Sequence, residues 1–452
     1  MSQELVDLLF KYDVPVPRYT SYPTAPVWGS LESSQYAEKL KNLKDSPIAL
    51  YFHIPFCQSM CLFCACSVIL NRKPENEERY IEYLCKEVDL VADLIGVRKK
   101  VSQLHFGGGT PTKISLQLFK KLYNKILDRF DILPDAEIAI EVDPRTVAED
   151  EGEKLNALKA LGFNRVSFGV QDTNEIVQEA IRRRQSLFVT TYTYEMARKL
   201  GFPGINIDLI YGLPKQTIET FTETIEKIIQ LRPDRLALFS YAKVPWLKGH
   251  QKAIPDSSLP TTNEKFGMYV MARKKLIESG YRAIGMDHFA LSGDELSKAY
   301  EAKRLQRNFQ GYTVLDVDDL IGFGVTSIGF VNGCYIQNVK ELSEYYAQLD
   351  AHLLAVAKGK ELTEDDHIRR WVIQRLMCDF RLNKQEFQEL FGISFDSYFV
   401  KERKALQDSL VTDSEQLLQV HPDGELFIRN ISAVFDWYLA QNNSHKSFSR
   451  AI

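Results

Sequence analysis

The 452-residue chain lacks a strong charge of either sign: 56 basic side chains face 60 acidic ones, for a net charge of −4. No global field therefore draws it to nucleic acid or to an anionic membrane. An uncharged apolar run near the ~18 residues that a membrane span needs is also missing. The opening MSQELVDLLFKYD has Glu4 and Asp7 where a signal peptide would carry basic and then purely apolar residues, so a cytoplasmic protein is expected. Cysteine is scarce, odd in number at seven, and unevenly spread. That excludes a disulfide framework and favours metal or redox chemistry. Internal repeats and low-complexity tracts are absent too.

What is present begins with a concentration of those few cysteines. In YFHIPFCQSMCLFCACS (51–67), Cys57, Cys61, Cys64 and Cys66 fall within ten positions. Thiolates bind soft metals, and close spacing lets one loop wrap one centre. A closed zinc site pairs such a cluster with a second ligand pair farther on, and none is evident. Three thiols at C-x3-C-x2-C instead match three irons of a cubane, with the fourth iron left for another ligand.

Around this stretch the chain reads as strand–helix alternation. Strands IALYFHI, SQLHF, EIAIEV, RVSFGV, INIDLI and RLALFSY are separated by amphipathic stretches. The first of these helices has its stripe on Ile81, Leu84, Cys85, Val88, Val91 and Ile95 and stops at Gly96. Such alternation predicts a parallel sheet with helical crossovers. Three parts follow: an extension over 1–45, with a short helix on Leu5, Leu8 and Leu9 and then a proline-broken segment; an α/β unit over 46–290; and a mostly helical part over 291–452. In the last, LQVHPDGELFI predicts a hairpin turning at Asp423-Gly424, as in a winged-helix-like module. Acidic Asp423 and Glu425 there argue against nucleic-acid binding.

Several residues have a chemical reading of their own. Gly107, Gly108 and Gly109 follow a strand, where a glycine nest can present amides to a carboxylate. Glu141, Gln171, Asp208 and Ala242 each fall at or just past the C-terminal end of a strand, the rim that carries active sites in barrels. Cys85 on its apolar stripe, Cys334 and Cys378 are expected to be buried packing residues, and His53 a core or second-layer histidine.

C-x3-C-x2-C, with YFHIPFC before it and GGGTP (107–111) after it, resembles the radical S-adenosylmethionine (SAM) superfamily. PRYTSYPTA, Cys66, EVDPR, GVQD, NIDLIYGLPKQT, GMDHFA, NFQGYT and the terminal FSRAI together look like the oxygen-independent coproporphyrinogen III oxidase family. Ala65 stands where that family usually has glycine, and Arg182-Arg183-Arg184 where it reads Asn-Arg. The resemblance implies a partial (β/α)6 radical SAM barrel with an N-terminal extension and a mostly helical C-terminal domain. It implies a [4Fe–4S] cluster on Cys57, Cys61 and Cys64 and two molecules of SAM. Tyr51, Gly108, Glu141 and Ile328 would contact the SAM on the cluster. Phe63, Gly109, Thr110, Gln171, Arg183, Asp208 and Ala242 would line the second SAM site. Cys66, Phe309 and Gln310 would serve the substrate, coproporphyrinogen III, whose propionates on two rings become vinyl groups. Arg18 is a candidate partner for the other propionates. An electron donor and a final acceptor, both unidentified, a monomer, and no nucleic-acid or membrane partner complete the expectation. A haem-binding chaperone or a haem-degrading enzyme of the same superfamily is the alternative.

Overall fold

The computed structural model describes residues 3–71, 73–314, 317–406, 410–441 and 448–451; the last residue of the FSRAI motif, Ile452, lies outside them. IALYFHI forms β1 (Ile48–Ile54), and the chain then runs through α1 (Pro74–Ile95), β2 (Lys100–Gly108), α2 (Leu116–Arg129), β3 (Asp131–Val142), α3 (Glu153–Ala160), β4 (Arg165–Gln171), α4 (Leu187–Lys199), β5 (Gly204–Tyr211), α5 (Ile218–Leu231), β6 (Arg235–Ser240) and α6 (Thr262–Glu278). Strands β1 to β6 lie side by side in chain order, all parallel. Six of the seven residues of β1 are buried, as expected of a parallel strand covered on both faces. Pro74 opens α1, where its missing N–H costs nothing, and Gly96 closes it at φ 74°, a conformation without steric cost only for glycine.

The sheet extends beyond the six strands read from the sequence. A seventh parallel strand, β7 (Leu320–Phe323), pairs with the outer edge of β1. Antiparallel strands 328–331, 334–338, 356–361 and 29–30 continue from it, while 288–291 and 281–284 cover β6. The ladder has 13 strands and does not close on itself among the described residues. A division at residue 290 therefore cuts through this sheet. The two largest apolar cores part later: one includes residues up to Val356, and the other takes up Ile368 to Phe435 together with Phe266 of α6 and Leu9, Tyr19 and Tyr22 of the extension. The reason is pairing: β7 and its neighbours are short, lie far along the chain, and have no helix-alternation signature.

In the C-terminal part the expected turn moves. Asp423 and Gly424 lie in a short helix, Pro422–Glu425, and the hairpin joins 411–413 to 417–420, with 381–383 as third strand. Pro422 preorganises the helix start. Gly424 is required because a Cβ there would lie 2.6 Å from the Leu410 carbonyl oxygen.

Candidate active site

The cysteine loop leaves β1 and returns to α1. Two backbone contacts close it: the Ile69 amide donates to the Pro55 carbonyl at 2.7 Å, and the Leu62 amide reaches Ile181 at 2.9 Å. A turn at 61–64 (Cys64 N–H to Cys61 C=O, 3.2 Å) folds the loop back. The Cys64 thiol is held below the ordinary thiol range, first by its neighbour Cys66 and also by the charges of Lys248 and Arg183. Cys66 is exposed, Cys61 buried, and Cys57 and Cys64 half-buried.

A second segment, without any recognisable motif, holds this loop from outside. Lys248 Nζ donates to the Cys66 carbonyl at 2.7 Å, and His250 Nε2 to that of Cys64 at 2.8 Å. Gln251 Nε2 donates to the carbonyls of Phe63 and Ala242 at 2.8 and 3.3 Å, while its Oε1 accepts the Val244 amide at 2.6 Å. Gln251 is wholly buried.

The glycine triplet packs against the loop. A Cβ on Gly107 would meet Glu141 at 2.8 Å, one on Gly108 the Ile54 carbonyl at 2.8 Å, and one on Gly109 that of Pro55 at 2.5 Å. The amides of Gly108, Gly109 and Thr110 donate to Glu141 Oε2, Ile54 and Phe56 respectively. The expected anion nest is therefore not formed, because these donors are engaged within the protein. The glycines serve close approach of two strands.

On β1, His53 Nε2 donates to the Ser67 carbonyl at 3.0 Å, which leaves Nδ1 to accept the Tyr51 hydroxyl at 3.1 Å. Burial lowers the His53 pKa and favours this neutral form. Tyr51 stacks on His105, whose Nε2 lies 3.6 Å from Glu141 Oε1. Of the three arginines at 182–184, Arg183 turns inward. Its Nη1 reaches Asp143 at 3.1 Å and the Cys61 sulfur at 3.7 Å, and its Nη2 donates to the Gly169 carbonyl at 2.6 Å. Arg145 grips the same Asp143 at 2.6 Å. Burial alone would raise the Asp143 pKa, but the two guanidiniums hold it at about 2. At the end of β4 the ladder shifts register between Gly169 and Gln171, and Gln171 adopts φ 70°, a strained conformation of the kind that re-aims a side chain. Asp208 accepts from Ser167 and Asn206 at 3.1 and 2.7 Å and titrates at about 6, raised by burial and then by Glu141.

Two cavities meet here. One, of about 520 Å³, is lined by Cys57, Cys61, Cys64, Phe63, Gly109, Thr110, Gln171, Arg183 and Asp208. The other, of about 460 Å³, is lined by Tyr51, Ile328, Lys248 and Lys340. Cys66, Gly108, Glu141, Phe309 and Gln310 line both. Ala242 lines neither and enters only through its carbonyl. Arg18 lies behind the wall of the larger cavity: it pairs with Asp287 at 2.6 Å, lies over the ring of Phe239, which lines that cavity, and itself borders a separate cavity of about 30 Å³. Asp143, Arg145, His105 and Gln251 were missed as site residues. EVDPR held the first two in view, but nothing in the local pattern marks the others.

The donor set fits a polynuclear cluster. Among the described residues no three Cys, His, Asp or Glu side chains converge as ligands of one ion. Cys57, Cys61 and Cys64 all line one cavity, and thiolates so placed can each hold a different iron of one cluster. Thr110 Oγ1 at 3.5 Å from Cys57 and Arg183 at 3.7 Å from Cys61 offer the hydrogen bonds that cluster thiolates accept.

Comparison with known proteins agrees. Residues 51–228 match the radical SAM superfamily, and residues 362–427 match the HemN C-terminal domain. The fold and the cysteine site thus make the chain a radical SAM enzyme, with a [4Fe–4S] cluster and SAM as cofactors. It is 44% identical over 457 residues to the oxygen-independent coproporphyrinogen III oxidase of Synechocystis, covering 99% of this chain and 97% of that one. To the Escherichia coli oxidase it is 42% identical, over the whole of both chains. The solved structure of the Escherichia coli enzyme HemN superposes with a TM-score of 0.89 at 40% identity, over 94% of this chain and 100% of that one. The chain belongs to the oxygen-independent coproporphyrinogen III oxidase family.

Proposed function

We propose that this chain performs the reaction of that family by holding the cluster on Cys57, Cys61 and Cys64 and converting coproporphyrinogen III to protoporphyrinogen IX by two oxidative decarboxylations. The observation that carries the reading is the cavity in which the three cysteines of one loop face Gln171 and Asp208 from the strand ends. Bound there, the cluster and SAM would supply a 5'-deoxyadenosyl radical that abstracts hydrogen from a propionate. The protein's own work is positioning and exclusion of water. Tyr51, Gly108, Glu141 and Ile328 receive the first SAM; the hydroxyl of Tyr51 is fixed by His53 and the carboxylate of Glu141 by the Gly108 amide. Phe63, Gly109, Thr110, Gln171, Arg183 and Asp208 receive a second SAM, with Ala242 held in place through Gln251. Cys66, Phe309 and Gln310, common to both cavities, face the substrate. A monomer in the cytoplasm, served by an electron donor and a final acceptor, completes the reading. The haem-chaperone and haem-degrading alternatives are not favoured, since the full-length relatives are named oxidases.

An anaerobic assay of four variants tests it. Cys57→Ser, Cys61→Ser and Cys64→Ser should each lose iron and visible colour. Cys66→Ser should keep iron and 5'-deoxyadenosine release yet form no protoporphyrin. Iron loss in Cys66→Ser equal to that in the other three would overturn its assignment to the substrate side.

A further inference from the structure

The turn that precedes the Lys248–Gln251 clamp carries two large apolar side chains into solvent: Trp246 is 60% and Leu247 66% exposed. This turn is well fixed, since the amides of Leu247 and Lys248 both donate to the Val244 carbonyl at 2.9 Å. Neither side chain lines the two cavities of the site. Their position is nevertheless next to it, because Lys248 bonds the Cys66 carbonyl and His250 that of Cys64. Charge marks the same face. In a chain with 60 acidic residues among 452, segments 46–74 and 235–255 contain none. From Lys243 to Asp256 three lysines stand against one aspartate. Asp256 is taken up by Lys243, and the exposed Lys252 has no acidic partner among the described residues.

We infer that the Trp246–Leu247 turn, with Lys252, is the docking surface for a small acidic protein that carries one low-potential electron to the centre under the cysteine loop. An aromatic–aliphatic anchor beside an unpaired lysine, in a stretch from 235 to 255 that holds no acidic residue, has the composition of an interface hot spot with electrostatic steering. The complementary charge selects an acidic carrier, and attachment to the carbonyls of Cys64 and Cys66 places that carrier beside the cluster loop. The carrier is oxidised by one electron and the cluster reduced by one for each SAM cleaved, with no bond formed between the proteins. The inference rests on the cluster lying on Cys57, Cys61 and Cys64, which the iron content of their serine variants tests separately.

The experiment titrates the cluster-loaded enzyme with an acidic flavodoxin by calorimetry at low and at high salt. Wild type should bind, more weakly as salt rises. Trp246→Ser should weaken the complex about tenfold, and Lys252→Glu should weaken it and flatten the salt dependence. In both variants, 5'-deoxyadenosine release driven by dithionite, which needs no docking, should equal that of wild type. Absence of binding to wild type, or equal binding by both variants, overturns the proposal. So does a dimer that Trp246→Ser dissolves, which would assign the face to a second copy of the chain.

Discussion

Asp143 shows how a single side chain organises this site. It is buried between Arg145 and Arg183, and Arg183 in turn touches Cys61. Replacing it by asparagine leaves two cations without their counter-charge, and breaking such a buried pair costs about 3–5 kcal/mol. Its folded pKa of about 2 lies below the ordinary 3.8, so its contribution is fully present above the unfolded value and is lost as pH falls towards 2. Urea unfolding of the cluster-free chain should therefore separate wild type from Asp143→Asn near neutrality, and the gap should close through that acidic window. A second expectation concerns Gln251, whose amide ties Phe63 to Ala242. Gln251→Leu should retain iron but bind fewer SAM molecules per chain by equilibrium dialysis; unchanged stoichiometry would remove it from the second site.

At the scale of elements, the parallel series joins the late strands through one buried carboxylate. Glu87 on α1 accepts from the Gly324 amide, Asn338 and the Tyr345 hydroxyl at 2.7, 2.6 and 2.7 Å. Burial outweighs these three donors and raises its pKa from 4.5 to about 7. The folded state thus holds a proton that the unfolded state releases between those values. Stability should fall by about 3 kcal/mol as pH rises through that window and stay level above it. Glu87→Gln cannot titrate and should lack the slope; unfolding midpoints at about pH 5 and about pH 8 check this. Six strand–helix units were legible because a period of alternation repeats six times. β7 was not, since a four-residue buried strand carries no period, and the Asp423-Gly424 turn signal lost to Pro422 and to packing against Leu410.

For the whole molecule, the two ends of the described chain meet on Arg429. This buried guanidinium donates to the carbonyls of Val16, Pro17, Ser449, Arg450 and Ala451, and the extension adds Leu9, Tyr19 and Tyr22 to the second core. Trp28 of the same extension packs against Phe309, so the segment also backs a cavity wall. Arg429→Met should cost about 2–4 kcal/mol through the carbonyls of Val16, Pro17, Arg450 and Ala451, which lose its guanidinium, while that of Ser449 keeps the Val16 amide. Carboxypeptidase should then release C-terminal residues sooner than from wild type; equal rates would show that Arg429 does not hold the terminus.

The sequence by itself determined the chemistry that depends on spacing along one loop and the architecture that depends on repetition. C-x3-C-x2-C named the metal chemistry, and the alternation of strands and helices named the parallel sheet, because each is a local pattern whose meaning is set within a few residues. Only the tertiary structure decided which of three adjacent arginines turns inward, that the glycine amides are already engaged, that Arg18 pairs with Asp287, and that Lys248, His250 and Gln251 grip the cysteine loop across some 180 positions. Those contacts join residues far apart in the chain, and a hydrogen bond made through space leaves no periodic trace in the order of the amino acids.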